Sequence, residues 1–113
     1  MIARMWHGVT LVENSEAFLE YMKNTGVKAC AAASGNQGVY VLRRRCDARM
    51  EFIFLSLWES YESIRNFAGQ LIEKPVYFSE DKKYLVELEP AVIHYDVLVE
   101  QLSPYAGKNV KSN

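Results

Sequence analysis

Two cysteines, two histidines and three prolines are all that the 113 residues hold of the types that most often staple, ligate or kink a chain. Cys30 and Cys46 show no metal-ligand spacing. The chain opens on Met1-Ile2-Ala3-Arg4, without a basic leader and apolar core, so a reducing, cytoplasmic setting is expected and both cysteines are read as free thiols. His7 and His94 stand far apart in sequence, and no metal site is expected from them. Neither sign of charge dominates: 13 Lys and Arg face 14 Asp and Glu, a net charge of -1 that leaves no field for nucleic acid or an acidic membrane surface. The run Arg43-Arg44-Arg45 does not change this, because alternation along a strand splits its charges between two faces. Arg43 is expected in an interface ion pair. No apolar run approaches the roughly 20 residues that cross a bilayer. Gly35-Asn36-Gln37-Gly38 lacks the lysine and hydroxyl residue that end a phosphate loop, and no Ser-His-Asp order or nucleophile elbow is present.

What is present is hydrophobic pattern. Half of the residues are hydrophobic, which suits one domain with a core, small enough to gain from self-association. The stretch from Phe52 to Gly69 changes period once, between Trp58 and Tyr61. The uncharged run Phe52 to Trp58 predicts a strand buried on both faces. Beyond it, Ser60 as cap, Glu62 in the positive first turn, and Tyr61, Ile64, Phe67 and Ala68 at helical spacing predict a helix that stops at Gly69. Trp58 then stands where a strand hands over to a helix, a place where mixed sheets leave a crevice. It is a candidate pocket wall, although packing in the core is the more ordinary role for such a tryptophan.

Upstream, Ile2 to Leu11 alternates with Ala3, Met5, His7 and Val9 on one face and Ile2, Arg4, Trp6 and Gly8 on the other. A helix capped by Asn14 or Ser15 is expected to run through Tyr21 and Met22 and stop at Gly26. Small residues from Lys28 to Gly38 are read as a loop, and Val39 to Cys46 as a strand that forms an antiparallel hairpin with the next through Asp47-Ala48-Arg49. After Gly69, a short helix through Tyr84 and Leu85 follows the cap Ser79-Glu80-Asp81. Glu87-Leu88-Glu89-Pro90 then leads into a last strand, Ala91 to Glu100. The expected organisation is one domain over 1–102 and a polar tail over 103–113. Strand, helix, strand, strand, helix, strand is the split order of the ferredoxin-like α+β fold, an antiparallel sheet with helices on one face. The second apolar face then needs cover, and a homodimer supplies it.

Arg4-x-Trp6-His7-Gly8, Gly38-Val39-Tyr40-x-Leu42-Arg43-Arg44, Leu57-Trp58-Glu59-Ser60, Ile64-Arg65-x-Phe67-Ala68-Gly69 and His94-Tyr95-x-Val97 together resemble the antibiotic biosynthesis monooxygenase-like family, over nearly the whole chain up to about Glu100. The resemblance implies a ferredoxin-like protomer pairing sheet to sheet into a dimeric α+β barrel. It also implies one of three activities. Cofactor-free monooxygenases hold a small aromatic phenol or quinol whose anion reduces dioxygen. Relatives without activity bind or sense small molecules. A haem-degrading branch places a tryptophan where Trp58 stands, with an asparagine on the first strand and a ligating histidine near the position of Tyr77, and only the tryptophan is matched here. The first of these is the expectation, with no cofactor. Its expected site has His7 as base, for which a structural role bridging to Asp96 or a carbonyl is the alternative, and Trp58 as wall. Arg65, Asn66, Tyr77 and His94 are its expected substrate contacts.

Overall fold

A computed structural model describes residues 1–87 and 91–106. The approach to the last strand through Pro90 and most of the polar tail lie outside the described residues. Strand β1, Ile2–Leu11, leads through a single turn at Val12–Asn14 into helix α1, Ser15–Met22. A wide turn, Lys23–Val27, carries the helix on into α2, Lys28–Ala32. Strands β2, Asn36–Cys46, and β3, Arg49–Trp58, form the expected hairpin, with Asp47 in the left-handed conformation at φ 54°. Helix α3 is Tyr61–Ala68, capped as the sequence predicts: the Ser63 N–H donates to Ser60 Oγ at 3.2 Å, and Gly69 ends the helix at φ 94°. A four-residue helix α4, Asp81–Tyr84, precedes two short strands, β4, Leu85–Glu87, and β5, Ile93–Asp96.

All strand pairings are antiparallel. The order is β2-β3-β1-β4, and β5 joins β1 on the edge that β4 also uses. This is the predicted ferredoxin-like α+β protomer, with its last strand in two pieces. On that edge β4 pairs with β1 at Val9 and Thr10, and β5 pairs with it from Ile2 to Met5. The expected strand over 91–100 also ends early. The Val97 N–H makes the last bond, to the Met1 carbonyl, after which Leu98 and Val99 are exposed.

The first helix does not stop at Gly26, and the small residues after it are helical rather than a loop. Alanines at 29, 31 and 32 cost a helix nothing, and the glycine serves a different purpose. A Cβ at position 26 would stand 3.3 Å from the Phe54 ring and 3.6 Å from Phe78, so its missing side chain lets the helix approach the sheet.

Register assigns the two faces. On one side Ile2, Arg4, Trp6 and Gly8 lie opposite Trp58, Ser56, Phe54 and Phe52, and the helices pack here. Two apolar clusters form under them. One joins Ile2, Cys30, Trp58 and Ile64; the other joins Phe18, Met22 and Phe52; Phe54 packs against both. The other side carries the rows Tyr40–Leu55–Met5–Ile93 and Leu42–Ile53–His7, which no helix covers. Tyr40, Leu42, Ile93 and Tyr95 are each about half exposed there. The buried residues of β3, Phe52, Ser56 and Trp58, all lie on its helix face, so the strand is not buried on both faces as the sequence predicts. Among the described residues no helix is long and apolar enough to cross a membrane.

Candidate functional site

The two clusters fail to close over the middle of the sheet, and a cavity of about 60 Å³ remains. Its floor is Arg4, Trp6, Phe54 and Ser56 from the sheet. Phe18, Met22 and Gly26 of the first helical run, Phe67 of α3, and Val76, Tyr77, Phe78 and Asp81 of the last connection form the walls. Aromatic rings dominate. Trp6 meets Phe18 and Tyr77 with ring centroids 6.3 Å from each, and its indole N–H donates to the Tyr77 hydroxyl at 3.4 Å. Gly8 allows this, because a Cβ on the next residue of the same face would overlap the indole.

Three ionisable side chains of this wall are themselves buried, Arg4, Cys30 and Asp81. Arg4 spans the gap to the segment after α3. Nη1 donates to the Ile72 carbonyl at 2.6 Å and to His94 Nε2 at 3.0 Å, and Nη2 donates to the Lys74 carbonyl at 3.2 Å. Burial pulls the guanidinium below its ordinary pKa, with the Cys30 thiol opposing. A guanidinium only donates, so His94 Nε2 must accept, which places the imidazole proton on Nδ1 and keeps the ring neutral. Burial is the main cause that lowers the His94 pKa, the Arg4 charge the second, and Glu73 opposes both. Asp81 Oδ2 accepts the Phe78 N–H at 2.6 Å. Burial raises its pKa despite that bond, which moves it towards the range of a general base. Cys30, also in the wall, is pushed up to about 11 by burial and stays a thiol. Among the described residues no group of three or more His, Cys, Asp and Glu side chains is placed to hold a metal.

The residues singled out from the sequence are distributed unevenly around this cavity. Tyr77 lines it. His94 stands behind Arg4 as its cross-strand neighbour and hydrogen-bond partner. Trp58 is one layer further back: it is fully buried, its indole N–H donates to Ser56 Oγ at 2.8 Å, and its ring packs on Phe67 at 5.3 Å. It supports two wall residues and is not itself a wall. Arg65 and Asn66 lie on the exposed side of α3, away from the cavity, because Ile64 and Phe67 take the inward positions. His7 is on the opposite face of the sheet. There Nε2 lies 2.7 Å from Glu51 Oε2, whose carboxylate also takes Arg44, and both partners hold Glu51 below the usual carboxylate range, His7 first. Glu51 is thus among its partners, and the backbone of Asp96 pairs with Ile2, five positions from His7 on β1. Arg43 is not in the uncovered face either. It bonds Ser15 and Glu16 on the helix side, the latter at 2.6 Å.

Sequence reasoning passed over Arg4, Trp6 and Asp81. The signal for the first was present, a lone charge within an apolar strand on the face shared with Ile2 and Trp6. The other two needed knowledge of where the segment from 69 to 80 folds back.

No protein-family model matches the chain, and no curated protein sequence does. Solved structures do. The chain is similar to a protein of Nitrosomonas europaea named provisionally as an antibiotic biosynthesis monooxygenase, at 15% identity and a TM-score of 0.60, over 88% of this chain and 100% of that one. A Bacillus cereus protein with the same provisional name aligns at 15% identity and a TM-score of 0.65, over 91% of this chain and 96% of the other. An MhuD mutant with two manganese protoporphyrin IX groups bound per active site aligns at 13% identity and a TM-score of 0.57, over 91% and 100%. At such identities the likeness establishes the antibiotic biosynthesis monooxygenase-like fold, the fold to which the sequence motifs pointed.

Proposed function

We propose that a chain with this fold and this cavity is a cofactor-independent monooxygenase-type protein, which holds a small aromatic phenol or quinol and lets its anion reduce dioxygen. The observation that carries the reading is the pairing of an aromatic-walled cavity with a buried carboxyl of raised pKa, Asp81. Trp6, Phe54 and Tyr77 would hold the ring, and Asp81 would take the hydroxyl proton. The phenolate formed is the electron-rich species that transfers electrons to dioxygen, and a ring filling the cavity would displace the water that could compete for it. Oxygen consumption by purified protein given hydroquinones and phenols tests this directly. The expected result is substrate-dependent uptake above the autoxidation rate, abolished by heat denaturation. Saturable binding without uptake would favour a non-enzymatic binding or sensing protein on the same scaffold.

The porphyrins of the MhuD structure do not suit this cavity. No histidine lines it, the Tyr77 hydroxyl already accepts the Trp6 N–H, and 60 Å³ holds about four waters, whereas large ligands use sites of several hundred Å³.

The uncovered sheet face supports the second half of the reading, a homodimer paired sheet to sheet. A solvated face has no need of large apolar side chains, yet here Ile53, Leu55, Leu57, Met5, Tyr40, Leu42, Ile93 and Tyr95 share one surface, next to exposed Leu98 and Val99. The protein is expected to sediment at micromolar concentration as twice its 13.0 kDa chain mass. A monodisperse monomer would overturn the dimer.

A further inference from the structure

Among the described residues the buried guanidinium of Arg4 has no carboxylate partner. Its three hydrogen bonds go to two neutral carbonyls and a neutral imidazole, and no ion pair joins it to Asp81 on the same cavity wall. Burying a cation against neutral groups is costly, and such a charge is ordinarily paired. The group is also incompletely used. A guanidinium carries five N–H groups, of which these bonds take three, leaving Nε–H and one Nη2 hydrogen. Among the described residues no wholly buried side-chain nitrogen or oxygen lacks a partner, so Nε must border accessible space. The space Arg4 lines is the cavity.

We propose that Arg4, held by Ile72, Lys74 and His94, is the subsite for a carboxylate on the aromatic ligand. Two spare N–H groups on a planar fork suit the two oxygens of a carboxylate, which would supply the missing negative charge. Size sets an upper limit: the cavity of about 60 Å³ is smaller than the roughly 150 Å³ that holds benzene, so a single ring is the most it can take, and its walls must give to admit one. Arg4 and Asp81 line one cavity without touching, so a ring between them would direct a carboxylate to the first and a hydroxyl to the second. The ligand class is then a single-ring aromatic hydroxy acid. His94 is a positioning residue: its neutral Nε2 fixes one Nη1 hydrogen and leaves the rest of the fork to the ligand.

This inference names the ligand of the cavity assigned above, and so rests on that cavity being the site, but its test needs no turnover. Benzoate and 4-hydroxybenzoate are titrated into the whole protein by calorimetry under argon, alongside benzamide and 4-hydroxybenzamide as neutral isosteres. The acids are expected to bind at least roughly tenfold more tightly than the amides. Arg4→Met, which keeps the bulk and removes the charge, is expected to erase that preference while amide binding persists. Because Arg4 also braces the segment after α3, the comparison of acid with amide on the unaltered protein stands alone if the variant fails to fold. Equal affinity for acid and amide, or no acid binding at millimolar concentration, overturns the subsite. Acid preference without oxygen uptake keeps the subsite and removes the oxygenase. Oxidation of phenols without acid preference does the reverse.

Discussion

Trp58→Ala is expected to destabilise the protein by about 3–5 kcal/mol, the range for deleting a fully buried aromatic side chain. For a domain of this size each kcal/mol lowers the melting temperature by roughly 4–8 °C, so a fall of at least about 12 °C should be seen by circular dichroism. The reason lies in its surroundings. Trp58 is fully buried between Ile2, Cys30 and Ile64, and removing it also leaves Ser56 Oγ without the indole N–H that it accepts. Trp6→Ala is the control. Trp6 is only partly buried and borders the cavity, so its loss should weaken ligand binding more and the fold less. A Trp58→Ala variant that melts like the unaltered protein but no longer binds would make Trp58 the wall after all.

That contrast also shows how far the sequence could be read. Alternation along Ile2 to Leu11 sorted the side chains into their two faces correctly, because a strand has one period and no freedom in it. It did not say which face the helices take. His7 and Arg4 were therefore equivalent from the pattern, and a histidine near neutrality drew attention as a base while the buried arginine did not. The helix at Tyr61 was legible to the residue because its cap and stop are local: Ser60 bonds Ser63, and Gly69 takes a positive φ. Gly26 misled for the converse reason. A glycine within a helix can serve a close approach by a distant ring, here Phe54, and nothing near it in sequence announces that. Tyr77 enters as a substrate contact through the family resemblance, whereas Asp81 reads from the sequence only as part of the cap of a short helix. Both depend on the connection from 69 to 80 folding back onto the sheet, where Arg4 holds the carbonyls of Ile72 and Lys74 and the Tyr21 hydroxyl accepts the Glu80 N–H at 2.9 Å. No short-range rule encodes that return.

Asp81→Asn is expected to lower turnover of an oxidisable phenol by about 10²-fold or more, the range for losing a positioned general base. The substitution isolates the proton step. An asparagine oxygen can still accept the Phe78 N–H that Oδ2 takes now, so the connection should keep its shape, but an amide cannot take a proton from the substrate. Stability provides an independent check, and its sign follows from the raised pKa. The folded state holds the Asp81 proton more tightly than the unfolded chain, so as pH rises from the unfolded pKa through the raised folded one, stability is lost rather than gained. Above that window the ionised, buried carboxylate is a cost that asparagine does not carry. The variant should therefore melt no lower than the unaltered protein at pH 7, and the difference between them should shrink as pH falls below the unfolded pKa of about 3.9. His7→Ala belongs in the same assay. With His7 bonded to Glu51 on the far face of the sheet, its loss should change turnover by less than roughly threefold, and any effect should fall on the assembly of the proposed dimer, with Glu51 and Arg44 left to pair without it. If instead Asp81→Asn turns over normally and His7→Ala does not, the proton is taken on the uncovered face, and the reactive site lies between two sheets rather than beneath the helices.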